Sequence, residues 1–98
     1  MEVSFQSRKL LRCYEESSRA NREWGSIVGR RYIRMVDELS ALPTFKDIFA
    51  IVRMRAHPYK SRPGSYALSM TGRWRLLVRQ GERPDQVIVE EVSNHYDD

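Results

Sequence analysis

Near its middle the chain changes the spacing of its apolar residues, and that change leaves few folds open. Before Pro43, the residues Trp24, Ile27, Val28, Tyr32, Met35, Val36, Leu39 and Leu42 recur at intervals of three and four. That spacing lines up one face of an α-helix, and proline ends it. Gly25 and Gly29 each weaken a helix by about 1 kcal/mol relative to alanine, so its start is expected at Ser26. Beyond the loop at 58–65 the period becomes two. Residues 66–70 and 73–79 read as strands joined by a tight turn at Thr71-Gly72, and residues 87–92 read as a further strand.

The flanking segments complete the pattern. Residues 3–5 suit a short strand, followed by a helix from about Ser7 that carries Leu10, Leu11 and Tyr14. Thr44 suits the cap of a further short helix, with Asp47 three residues on and Phe45, Ile48, Phe49 and Val52 apolar. Helices that precede strands predict an α+β domain, with an N-terminal strand and two to three helices packed on one face of a mostly antiparallel sheet. With 98 residues, one domain spanning 1–98 is expected, with a core thin enough to benefit from a partner.

Charge is distributed unevenly along this frame. Arg53, Arg55, Lys60, Arg62, Arg73, Arg75, Arg79 and Arg83 face only Glu82 between residues 53 and 83, giving that segment +7 within a chain of net charge +4. From Pro84 onward there are five acids and no Lys or Arg. A basic block attracts polyanions, nucleic acid foremost, although arginines also keep an exposed sheet soluble and unpaired. The single Cys13, among Leu10, Leu11 and Tyr14, excludes an internal disulfide and reads as a buried, inert thiol. No apolar run approaches the roughly 20 residues of a membrane span, and Met1 to Phe5 lacks a secretory signal's apolar stretch, so a cytoplasmic protein without membrane contact is expected.

Candidate chemistry gathers around the basic block. Alternation along residues 73–79 places Trp74, Leu76 and Val78 on a core face, with Arg73, Arg75, Leu77 and Arg79 opposite. A two-residue turn would set Arg75 across from Leu68 and Arg73 across from Met70, so that the arginines share their face with Tyr66. His57 and Lys60 precede this hairpin, Arg62 lies in its leading loop, and Asn94, His95 and Tyr96 follow the last strand. Metal-free RNA cleavage needs a base for the 2′-hydroxyl proton, cations for the phosphate charge and an acid for the leaving 5′-oxygen. His57 or His95 suits proton transfer, Lys60 and the arginines suit phosphate, and tyrosine offers a base a surface to stack on. Two histidines with no carboxylate at a recognised ligand spacing fall short of a hydrolytic metal site, and no cofactor is implied.

The ordered series His57-Pro58-Tyr59-Lys60, Gly64-Ser65-Tyr66-Ala67-Leu68, Arg73-Trp74-Arg75-Leu76 and Val92-Ser93-Asn94-His95-Tyr96 resembles the HigB-type plasmid-maintenance killer proteins of the RelE/ParE toxin superfamily. The resemblance covers nearly the whole chain and implies a RelE-like fold. It also implies a toxin that cleaves mRNA on the ribosome and is held in check by a HigA-like helix-turn-helix antitoxin, through which alone operator DNA is bound. By the same resemblance Lys60 and Arg75 hold the scissile phosphate, His57 is the active-site loop histidine, and Asn94-His95-Tyr96 falls where the family has Asp-Tyr-His. Here Asn replaces Asp, Tyr and His are exchanged or shifted by a residue, and Ser61 stands where the family has Gly. Arg62, Arg73, Arg79 and Asn94 are the expected RNA contacts. Two other readings remain: an RNA- or ribosome-binding module of this fold without cleavage, and a gyrase poison.

Overall fold

The computed structural model describes residues 1–94. Strand β1 (Glu2–Phe5) leads into helix α1 (Arg8–Glu15), whose first turn is capped where the Ser7 hydroxyl accepts from the Leu10 N–H at 3.2 Å. Helix α2 (Ser17–Trp24) and helix α3 (Ser26–Ala41) follow. Gly25 separates them at φ +86°, a left-handed conformation that glycine adopts without strain, so α3 does begin at Ser26 and Trp24 closes α2.

Gly29 also has a packing role that its propensity conceals. A Cβ built there would lie 3.0 Å from the Ala20 carbonyl carbon and the Asn21 nitrogen, so glycine lets α2 and α3 approach closely. After α3, two short 3-10 turns cover Phe45–Ala50 and Val52–Met54. As the sequence suggests, the Asp47 carboxylate accepts from both the N–H and the hydroxyl of Thr44, at 2.9 and 2.8 Å.

The remaining strands are β2 (His57–Pro58), β3 (Ser65–Ser69), β4 (Arg75–Gln80) and β5 (Gln86–Ser93). They form one sheet with β1 in the order β1-β5-β4-β3-β2, parallel only between β1 and β5. Leu10, Tyr32, Met35, Val36 and Leu39 from the helices meet Leu68, Leu76, Val78, Val87 and Val89 in a single core. The buried Tyr32 hydroxyl donates to the Leu10 carbonyl at 2.6 Å and ties α3 to α1. The expected α+β class, with helices on one face of a mostly antiparallel sheet, is therefore what the chain adopts. Cys13 is buried at 3% exposure, and that burial pushes its thiol up from the ordinary value, which favours the inert protonated form.

The hairpin register differs from the expected one by a single residue. Met70 donates to the Trp74 carbonyl, so the loop has three residues, Thr71 to Arg73, with Gly72 at φ +54°. Arg75 consequently pairs with Ser69, and Leu68 pairs with Leu76. A slip of one residue exchanges faces. Tyr66 thus lies on the core side against Phe45 and Phe49, at ring separations of 5.8 and 5.1 Å, and not beside the arginines. The physical reason is burial: Tyr66, Leu68 and Met70 can share a core face with Trp74, Leu76 and Val78 only if the loop takes a third residue.

Candidate functional site

The sheet face away from the helices carries several of the side chains singled out for chemistry. Across its middle run His57, Ala67, Leu77 and Glu91, one from each of β2, β3, β4 and β5. Ala67 and Leu77 are fully buried yet lie outside the helix-side core, so this face has an apolar floor flanked by polar groups. His57 Nδ1 lies 2.9 Å from the Arg55 carbonyl oxygen. A carbonyl only accepts, so in this contact Nδ1 carries the hydrogen. Arg55 adopts φ +48°, a left-handed conformation disfavoured for a residue with a Cβ, and its carbonyl is the one that engages the imidazole.

At one end of the face a polar network fills the space beside the loop that holds Lys60. Pairing skips from Leu77/Glu91 to Val78/Val89, which leaves Glu90 as an extra residue in a β-bulge. The bulge aims two successive carboxylates at the same side. Glu90 accepts from Arg79 Nε at 3.0 Å and from the Ser65 hydroxyl, and it lies 3.8 Å from Arg62. Glu91 accepts from Arg62 Nη2 at 3.0 Å. That bond, the largest influence on the group, holds the Arg62 guanidinium above its ordinary pKa and keeps it charged. The same guanidinium lies 5.5 Å above the Tyr59 ring. Arg62 and Arg79, expected as RNA contacts, are thus ion-paired, while Lys60 at the loop is exposed.

Arg75 occupies the other end. Its Nη1 donates to the carbonyls of Gly72 and Trp74 at 2.8 and 2.9 Å, which folds the guanidinium back on the hairpin. Ser65 and Ser69 are four residues apart on β3, so the Arg75 level and the end of the sheet carrying the Lys60 loop are separated by about 13 Å along the strands. The backbones of Lys60 and Arg75 are thus anchored towards opposite ends of this face. Arg73, expected on the arginine face, is in the hairpin loop and borders a groove by Trp24 and Trp74 on the helix side, where Asn94 also lies. His95 and Tyr96 fall outside the described residues.

Sequence reasoning missed Glu90 and Glu91 as members of this surface, although a sign was present. Val87 and Val89 share one parity and Val92 the other, and such a break in a strand's alternation is what a bulge produces. Arg55 left no comparable trace.

With this geometry in hand, the chain can be set beside known proteins. No protein-family profile matches it, and no curated protein does. Among solved structures it is similar to the YoeB/ParE toxin from Agrobacterium tumefaciens, with a TM-score of 0.59 over 98% of this chain and 100% of that one. The two share a fold. At 14% identity the likeness is one of backbone architecture, and side-chain roles must be argued from this chain's own residues. Among the described residues no helix is long and apolar enough to cross a membrane, and no three His, Cys, Asp or Glu side chains converge as metal ligands.

Proposed function

We propose that this chain is the toxin of a toxin–antitoxin pair and that it inhibits translation by cutting mRNA on the ribosome without a metal. His57 carries the reading. Its Nδ1 lies against a backbone carbonyl, which orients the ring on the helix-free face beside the Lys60 loop, and an imidazole there suits proton transfer. The setting supports the same chemistry, since the exposed Lys60 lies in the loop that follows and the Arg62 guanidinium over the Tyr59 ring offers a flat surface for a base. The fold shared with a YoeB/ParE toxin supports the toxin assignment. A HigB-type relationship, a helix-turn-helix antitoxin that alone mediates operator binding, and a cytoplasmic site of action belong to this proposal. In it the chain acts as one domain, His95 or His57 moves protons, and Tyr96 stacks a base.

In this reading Lys60 meets the phosphate first. Arg75 joins it only if its guanidinium leaves the Gly72 and Trp74 carbonyls, and Arg79 and Arg62 only if substrate displaces Glu90 and Glu91. Primer extension on mRNA from translating ribosomes tests the reading: discrete new 5′ ends that vanish in His57→Ala are expected. A second reading, ribosome or RNA binding without cleavage, is favoured by one observation, the engagement of three of the four candidate phosphate-holding cations with protein groups. Translation arrest with no new ends would establish that reading instead.

A further inference from the structure

The helix-side edge of the molecule carries a groove that has the expected RNA contacts Arg73 and Asn94 at its border but is built on apolar residues the nuclease reading does not use. Trp24, Ile27, Val28 and Trp74 line a groove of about 550 Å³ between the start of α3 and the β3–β4 hairpin. Ile27 is 70% exposed there, on a helix whose other large apolar residues mostly face the core. The groove adjoins a second hollow that shares Ile27 and Thr71 with it and is bordered by Arg30, Arg31 and Arg34. Among the described residues Arg19 pairs with Glu16, Arg53 with Glu38, Arg62 with Glu91, Arg79 with Glu90, and Arg83 with Asp85 and Glu2, whereas Arg8, Arg12, Arg22, Arg55 and Arg75 have no carboxylate partner and lie away from this groove. Among the described residues Arg30, Arg31 and Arg34 have no such partner, and no Asp or Glu lines either hollow.

We infer that this groove docks an acidic segment of a partner protein that inserts one or two large apolar side chains between Ile27, Trp24 and Trp74 and sets its carboxylates against Arg30, Arg31 and Arg34. An exposed apolar anchor beside unneutralised arginines is the composition of a protein-binding hot spot. The charge selects an acidic partner. Gly25 and Gly72 at the rim leave open space where a Cβ would stand, so a partner's backbone can come close. A nucleic acid would use the arginines and have no use for Ile27, which discriminates the two classes of ligand.

The inference rests on the proposed function for the partner's identity, which is the antitoxin encoded beside this chain. It places that partner at the helix-side edge, away from His57 and Lys60, so binding and cleavage are separable by mutation. The test titrates the full-length chain with the product of the adjoining reading frame, and separately with a short single-stranded RNA, each at low and high salt. Ile27→Ser and the double variant Arg31→Glu/Arg34→Glu are each expected to weaken partner binding on the order of 100-fold. Binding by the unaltered chain should weaken as salt rises, and Ile27→Ser should leave RNA affinity unchanged. Melting temperatures read in parallel verify folding, which these substitutions at the surface should not disturb. Partner affinity unaltered by Ile27→Ser, no binding by the unaltered chain, or loss of RNA in place of partner would each overturn the inference. Growth inhibition on induction of the chain alone is scored separately: a harmless chain that still binds through Ile27 removes the toxin reading and keeps the groove.

Discussion

Two arginine-rich regions of this molecule have opposite electrostatic fates. On the helix-free sheet face Arg62 and Arg79 are matched by Glu91 and Glu90, carboxylates from β5 that a bulge turns toward them. On the outer side of α3, Arg30, Arg31 and Arg34 have no counterion among the described residues. The linear count points the other way, because it assigns +7 to residues 53–83, with Glu82 as their one acid. A charge acts through its neighbours in space. The segment that looks most basic is partly neutralised by β5, and a less conspicuous group of arginines on α3 is left without carboxylates.

The contrast can be broken first at Glu90, whose side chain is 8% exposed and serves Arg79, Ser65 and Arg62 together. Glu90→Ala should destabilise the fold by about 2–3 kcal/mol, because it strands partly buried polar groups. The same change should raise RNA affinity by releasing Arg79. Urea unfolding and RNA titration measure the two effects; a stable variant would mean that the network is ornamental.

Next in size is the inner side of α3. Tyr32→Phe removes the hydroxyl that bonds the Leu10 carbonyl and should destabilise the fold by about 1–1.5 kcal/mol. Burial, its main cause, raises the Tyr32 phenol well above its ordinary value. The sign follows: the folded state prefers the protonated phenol, so its stabilising effect is whole below about pH 10 and declines as pH rises beyond that. Thermal melts between neutral and strongly alkaline pH should show that decline in the unaltered chain and a shallower one in Tyr32→Phe.

Smaller effects should separate the two arginine groups directly. Arg62→Ala should destabilise by about 0.5–1 kcal/mol, since the pair with Glu91 is substantially exposed and solvent screens it. Arg34→Ala, exposed and without a counterion, should stay within about 0.5 kcal/mol of the parent. If both substitutions act alike in urea, the distinction between paired and unpaired arginines has no energetic content.

What the sequence disclosed and what it hid have physical explanations. The α3 stripe, the Thr44–Asp47 cap and the core face of β4 were legible because burial imposes a period, and the cap residue type is restricted. Helix α2 was not, since Ser17–Trp24 has only Ala20 and Trp24 as apolar residues and is held mainly by close packing on α3 at Gly29. The hairpin register was readable in principle: requiring both strands to bury their apolar faces on one side forces the third loop residue. Lys60 and Arg75 were expected to act as a pair because the family resemblance implies that both hold the scissile phosphate. They occupy opposite ends of the strands because an antiparallel sheet carries residues along its length as well as across its width.

The central claim is that His57, held through Nδ1 by the Arg55 carbonyl, moves the proton in an RNA cleavage. Primer extension on mRNA from translating ribosomes, comparing the parent with a folded His57→Ala, addresses it most directly. The account predicts discrete new 5′ ends with the parent and a loss of roughly 100-fold or more in the variant. Undiminished cleavage by His57→Ala, or no cleavage by the parent, would contradict it.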